Sequence, residues 1–223
     1  MQKVIITCGP SYEPVDQVRR LTNFSTGELG VMLSNRLTRD GVDVICLKGE
    51  AATTPLQTDA NIEVIRFTTN AHLIELLSRI CDRDHVAAFF HAAALCDFKI
   101  KSITNAKGTN LAREAKLSSR RGELLLELEP AEKVISKLRA LFPNARIAGW
   151  KYELSGTRKE ALAKGHAQII ENQTDLCIVN GAAYGDGFGV VEKQSEQPLH
   201  HAADKSSLCD FLAQWLNQPL IGN

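Results

Sequence analysis

The chain has no apolar run approaching the ~18 residues of a membrane span, and its N-terminus enters a strand pattern at once, without an apolar leader stretch. A cytoplasmic protein with no membrane partner is the expectation. Net charge is also missing: 26 basic residues stand against 26 acidic ones, so there is no electrostatic footprint for nucleic acid or a membrane surface, and any phosphate binding must be local. No C-x-x-C pair occurs. Cys8, Cys46, Cys81, Cys96, Cys177 and Cys209 are scattered, mostly within apolar strand or helix patterns, which predicts buried free thiols rather than disulfides or zinc ligands, and no protein metal site. Neither G-x-G-x-x-G nor G-x-x-x-x-G-K-[ST] nor Tyr-x-x-x-Lys is present. With no internal repeat and no low-complexity linker, the 223 residues read as a single domain over 1–223 with a full core.

What is there begins with Val4-Ile5-Ile6-Thr7-Cys8, a β-branched run that stops at Gly9-Pro10. A loop carrying Arg19 and Asn23 follows, and Ser25-Thr26-Gly27 then opens an amphipathic helix with Leu29, Met32, Leu33 and Leu37 on one face. A strand, a loop and a helix start bring unpaired amide N–H groups and the positive end of a helix dipole together, with Gly27 and Gly30 allowing close approach to the backbone. This is a phosphate-site pattern.

Asp40-Gly41 supplies a helix stop, and residues 42–47 form a continuous apolar run of the kind a strand covered on both faces shows. Further strands are expected at 62–67 and 86–94, with a helix face of Leu73, Leu76, Leu77 and Ile80 between them. Residues 96–121 lose all periodicity and turn basic at 113–121, which predicts a mobile flap. Beyond it the pattern gives an extended stretch at 124–128, a helix over 130–141, a strand at 145–150, a helix over 157–171 and a strand at 176–180. An extended Val190-Val191 pair and a closing helix on Leu208, Phe211, Leu212 and Trp215 complete it. The predicted class is α/β: a doubly wound, Rossmann-like, mostly parallel sheet flanked by helices, with a flap and a small extended C-terminal segment. Ligands of such sheets sit beyond the C-terminal strand ends, where Gly9 and Asp97 would lie.

Chemistry-bearing groups cluster at those ends. Asn23 offers an amide for a carbonyl or acyl-phosphate oxygen and Arg19 a bidentate phosphate clamp, although composition alone reads them as a loop Asn beside a surface Arg. Ala92 and Ala93 leave room for a base or ribose on the backbone, with Asp97 just past the strand end, where a turn or helix-cap role is nearly as good a reading. His91 lies inside an apolar strand, the setting of a satisfied core histidine. Lys116, in a basic stretch, is suited to neutralising charge at a reacting phosphate and equally to being a solvated loop lysine. Trp150, after Gly149, is a base-stacking candidate or a core aromatic.

The segments Glu13-Pro14-Val15-Asp16-Gln17-Val18-Arg19 and Leu21-Thr22-Asn23-Phe24-Ser25-Thr26-Gly27 together resemble the opening of phosphopantothenate–cysteine ligases, the phosphopantothenoylcysteine synthetases of coenzyme A synthesis. Lys116-Leu117-Ser118-Ser119 is similar to that family's lysine motif. The resemblance implies Asn23 and Lys116 as catalytic residues and Gly9, Ser25, Gly27, Gly30, Ala92, Ala93, Asp97 and Trp150 around the nucleotide. It places Arg19, Asn23 and Asn180 on the substrate. It further implies CTP, with ATP as the alternative, carried with Mg2+, no flavin, 4′-phosphopantothenate and cysteine as substrates, a homodimer and a separate decarboxylase partner. Where the family carries lysines on the helix before Asp175, this chain has Ala167 and Glu171, with Lys164 one turn earlier. Two rival readings are a non-catalytic nucleotide-binding or scaffold homologue and, with less to support it, an NAD(P)-dependent oxidoreductase.

Overall fold

A computed structural model of the chain describes residues 2–56, 62–111, 115–193 and 198–218. Its centre is an eight-stranded sheet in the order β12-β11-β10-β9-β6-β1-β4-β5. Here β1 is Lys3–Cys8, β4 Asp43–Gly49, β5 Ile62–Phe67, β6 Val86–His91, β9 Arg146–Tyr152, β10 Leu176–Asn180, β11 Phe188–Glu192 and β12 His200–Ala202. The strands from β10 to β5 all pair in parallel, whereas β11 and β12 pair antiparallel at one edge. Strand β1 is buried along almost its whole length, as expected of a parallel strand covered on both faces.

Each helix covers the sheet with an apolar stripe. On one face α1 (Glu28–Arg39) and α5 (Lys205–Asn217) lie side by side and bury Val31, Leu33, Leu37, Leu208, Leu212 and Trp215 against β1, β4 and β6. On the other, α2 (Asn70–Arg79) and α3 (Ile135–Leu141) bury Leu73, Leu77 and Leu138 with Phe89 and Phe142. Helix α4 (Arg158–Asn172) closes over β10 and β11 through Ala161, Ile169, Cys177 and Val179. Burial of this apolar surface is the main favourable contribution to the fold.

Two hairpins project from this body: β2 (Tyr12–Pro14) with β3 (Arg20–Thr22), and β7 (Phe98–Asn105) with β8 (Leu124–Pro130). The second corrects the reading of 96–121 as patternless. Residues 98–105 form a regular strand whose register shifts between Ile100 and Ser102, and that shift breaks the alternation which would mark it in the sequence. Of the rest of the expected flap, residues 109–111 fold back on β7 and residues 115–117 dock on the turn between β2 and β3, while residues 112–114, including Arg113, lie outside the described residues. The helix expected from 130 begins at Ile135, because β8 runs through Pro130 and the Ala131 N–H donates to the Asp97 carbonyl. The expected strand over 86–94 ends at His91, and the free thiols are as expected, all but Cys81 buried.

Candidate active site

The order of strands reverses direction at β1: the chain passes outward through β4 and β5, then returns to the other side of β1 with β6. At such a switch point the two flanking connections leave in opposite directions, and a crevice opens between the strand ends. A cleft of about 910 Å³ lies there. Its walls come from residues 23–30, 91–97, 132–135 and 150–152, with Asn70, Leu154, Gln168, Asn180, Phe188 and Lys205.

The phosphate-site pattern builds one wall. Gly27 is the N-cap of α1, in the left-handed region at φ 77°, and gives the helix no side-chain cap. Helices α2, α4 and α5, by contrast, are capped by Thr69, Thr157 and Asp204. The first turn of α1 is therefore the one of these four starts without a cap from its N-cap side chain, while Ser25 and Thr26 accept only long bonds, of 3.4 and 3.3 Å, from the Gly27 and Glu28 N–H groups. A side chain on Gly30 would put its Cβ 2.3 Å from that of Cys8, so the glycine lets α1 press onto the end of β1. Behind this wall the buried Lys48 ammonium donates to the carbonyls of Ala52 and Thr54, and burial lowers its pKa. That ties down the loop on which Gly9 and Gly27 rest.

Nine of the residues singled out from sequence meet in this cleft: Asn23, Ser25, Gly27, Gly30, Ala92, Ala93, Asp97, Trp150 and Asn180. Asn23 donates its side-chain N–H to the Leu95 carbonyl at 2.8 Å, joining the loop before α1 to the segment after β6. Trp150 is half-buried at the end of β9, with its indole N–H buried and without a hydrogen-bond partner. His91 is buried, pairs with the Thr7 hydroxyl at 2.7 Å, and is pushed by burial down to about 4, so it stays neutral at physiological pH. That is the satisfied core histidine.

Three of the singled-out residues lie off the cleft lining. Gly9, at φ 77°, packs on the loop behind it: a Cβ there would come within 2.5 Å of Ala52 Cβ. Arg19 and Lys116 belong to a second cluster built on Asp16, in the turn between β2 and β3. Arg19 bonds Asp16 at 3.0 Å and the Leu117 carbonyl at 2.8 Å, while the Leu117 N–H donates to Asp16 at 3.0 Å. Lys116 is the exposed neighbour of this docked segment. Desolvation pushes the Asp16 carboxyl up, but the N–H groups of Leu117, Val18 and Arg19, with the Arg19 guanidinium, outweigh it and hold the group below its ordinary value.

Other cleft residues were not legible beforehand. Asn70 is buried and donates to the carbonyls of Cys96 and Glu132, bracing two walls; the only sequence signal is the polar Thr-Thr-Asn run that starts α2. Glu28, Lys133, Lys151 and Lys205 bring charge to the cleft. Lys164, the nearest lysine to the two absent helix positions, is not among the lining residues and pairs with Glu153.

The bifunctional coenzyme A biosynthesis protein CoaBC of Thermococcus kodakarensis is 26% identical over 180 residues, covering 80% of this chain and 41% of that protein. The CoaBC protein of Methanocaldococcus jannaschii is 28% identical over 191 residues, covering 83% of this chain and 43% of that one. The chain thus spans under half the length of these relatives. Among solved structures, a DNA/pantothenate metabolism flavoprotein from Streptococcus pneumoniae superposes with a TM-score of 0.83 at 23% identity, covering 97% of this chain and 98% of that one. A Cab2 variant in complex with phosphopantothenate–cysteine superposes at 0.70 and 18% identity, covering 96% and 87%. The fold is common to these two solved structures and this chain. The DNA/pantothenate metabolism flavoprotein C-terminal domain matches residues 1–210, and the chain belongs to that family.

Proposed function

We propose that the chain is a phosphopantothenate–cysteine ligase. The observation that carries this is the convergence, in one cleft at the sheet's switch point, of an uncapped helix start, the Asn23 amide, the Asp97 carboxylate, the Trp150 ring and Asn180. The volume of about 910 Å³ is generous enough for a nucleotide and a second, phosphate-bearing substrate. The relatives' names and the complex of the Cab2 variant support the same substrates.

In this reading the carboxylate oxygen of 4′-phosphopantothenate attacks the α-phosphorus of a nucleoside triphosphate, and the bond to the β-phosphate breaks to release pyrophosphate. The amine of cysteine then attacks the acyl carbon of the mixed anhydride. An amide forms, nucleoside monophosphate leaves, and the amine proton passes to solvent. The chain's contribution is positioning and charge stabilisation. Ser25, Gly27 and Gly30 present backbone N–H groups to phosphate, Asn23 holds the acyl nucleotidylate, Asp97 and Trp150 hold the nucleoside, and Asn180 contacts the substrate. CTP is the proposed nucleotide. Magnesium arrives on it as part of the substrate, and this suits the site, where no group of three His, Cys, Asp or Glu side chains is placed to hold a metal among the described residues.

Arg19 and Lys116 complete the site in this proposal by moving in from the Asp16 cluster. Their position off the cleft, with the absence of lysines from the helix before Asp175, favours the rival, a nucleotide-binding homologue without turnover. We further propose a cytoplasmic homodimer that uses no flavin and whose product passes to a separate decarboxylase. The test is pyrophosphate release by purified protein with 4′-phosphopantothenate, Mg2+ and CTP or ATP, with and without cysteine. Release that requires phosphopantothenate and falls at least ~100-fold in Asn23→Ala and Lys116→Ala is expected, in line with the loss of one stabilising donor. Nucleotide binding without release in folded protein would leave the rival standing.

A further inference from the structure

Helices α1 and α5 start next to each other at the cleft, because Glu28, the first residue of α1, forms an ion pair with Lys205, the first residue of α5. A second pair, Arg36 with Asp210 at 2.7 Å, keeps the helices parallel further along. The two starts are finished differently. At α5 Asp204 and Ser207 form a reciprocal capping box, so that end is sealed, whereas Gly27 gives α1 no side-chain cap. Lys205 therefore stands at the positive end of its own helix dipole, where a cation is disfavoured, and its ammonium extends toward α1. Its charge is not needed to finish the helix.

Lys205 is one of three lysines on the cleft wall, with Lys133 and Lys151. Lys151 is held by the nearly buried carboxylate of Glu153. The partner of Lys205 is the carboxylate that immediately follows Gly27, and both members of the pair are nearly half exposed. An exposed pair contributes little to stability, so exchanging its anion costs little.

We propose that Lys205 is the binding residue for the phosphates beyond the α-phosphate, leaving Glu28 to pair with the β- and γ-phosphates of the nucleoside triphosphate and following them out with pyrophosphate. This rests on the ligase reading for the identity of the ligand. It assigns to α5, more than 170 residues away in sequence from the phosphate loop, the cation that distinguishes triphosphate from monophosphate.

The experiment is calorimetric binding of CTP and of CMP, with ATP and AMP in parallel, to the wild type, Lys205→Gln and Lys205→Arg, alongside steady-state kinetics. Lys205→Gln should weaken triphosphate binding and raise its KM about 10-fold, as loss of one charge-assisted contact does. Monophosphate affinity and the KM for 4′-phosphopantothenate should stay within about twofold, and Lys205→Arg should restore most of the loss. Unchanged triphosphate binding in Lys205→Gln, or an equal loss for monophosphate, would overturn the assignment while leaving the ligase reading intact. A wild type that binds triphosphate without turnover would sink the ligase reading and still test Lys205. Failure of the wild type to bind any nucleotide would overturn both.

Discussion

His91 shows how a single side chain can sit on the cleft wall and still belong to the core. Burial depresses its pKa to about 4, well below an unfolded histidine near 6.5, so the unfolded chain binds the extra proton first. The sign follows: the neutral, Thr7-bonded ring favours the fold above about pH 6.5, and that contribution is lost as the pH falls toward 4. Urea unfolding of the wild type and of His91→Gln, which keeps a hydrogen-bonding group beside Thr7 but does not titrate, should diverge over this window. The divergence should reach on the order of 3 kcal/mol at its lower end; parallel curves would mean that the ring titrates in the fold as it does in the unfolded chain. At this scale the site was readable where a residue's type matched its backbone context, as with Asn23, Gly27 and Asp97. It was unreadable for Asn70 and Lys205, because both reach the cleft only through packing of helices distant in sequence.

Among the elements, the parallel strands and their covering helices were legible because hydrophobic burial writes its period directly into the chain: Leu29, Leu33 and Leu37 do so for α1, and residues 42–47 for β4. The extended stretch expected at 124–128 is β8, but its partner β7 and the β2–β3 hairpin were not legible. One face of β7 and β8 carries charged cross-strand pairs, Lys99 with Glu129 and Lys101 with Glu127, and on β7 the shift between Ile100 and Ser102 interrupts the apolar alternation of the other face. The turn between β2 and β3 is likewise organised by one carboxylate. Asp16 accepts from Val18, Arg19 and Leu117, and its lowered pKa means this docking is present above the ordinary carboxylate value and lost as the pH falls below it. Asp16→Asn should release the 115–118 segment. Hydrogen exchange at the Leu117 amide, slow in the wild type near neutral pH, should accelerate in the variant at the same pH. Slow exchange in the variant would show that Arg19 alone suffices.

For the molecule as a whole, the projecting β7–β8 hairpin leaves Phe98, Leu126 and Leu128, on one of its faces, between 41% and 52% exposed. This is the face at which we propose that a second copy docks. Sedimentation of the double variant Leu126→Glu/Leu128→Glu should give a monomer where the wild type gives a dimer; a monomeric wild type would remove the proposal. The thiols carry a last consequence. Burial pushes those of Cys177 and Cys209 up to about 12, and Cys8, Cys46 and Cys96 are enclosed too, while Cys81 stands exposed just past the end of α2. Helix α2 starts at the cleft wall with Asn70, so Cys81 lies roughly 15 Å away along its axis. The native protein thus carries its own attachment point for a single fluorophore, remote from the chemistry, and the five silent sulfurs become a stopwatch for its opening.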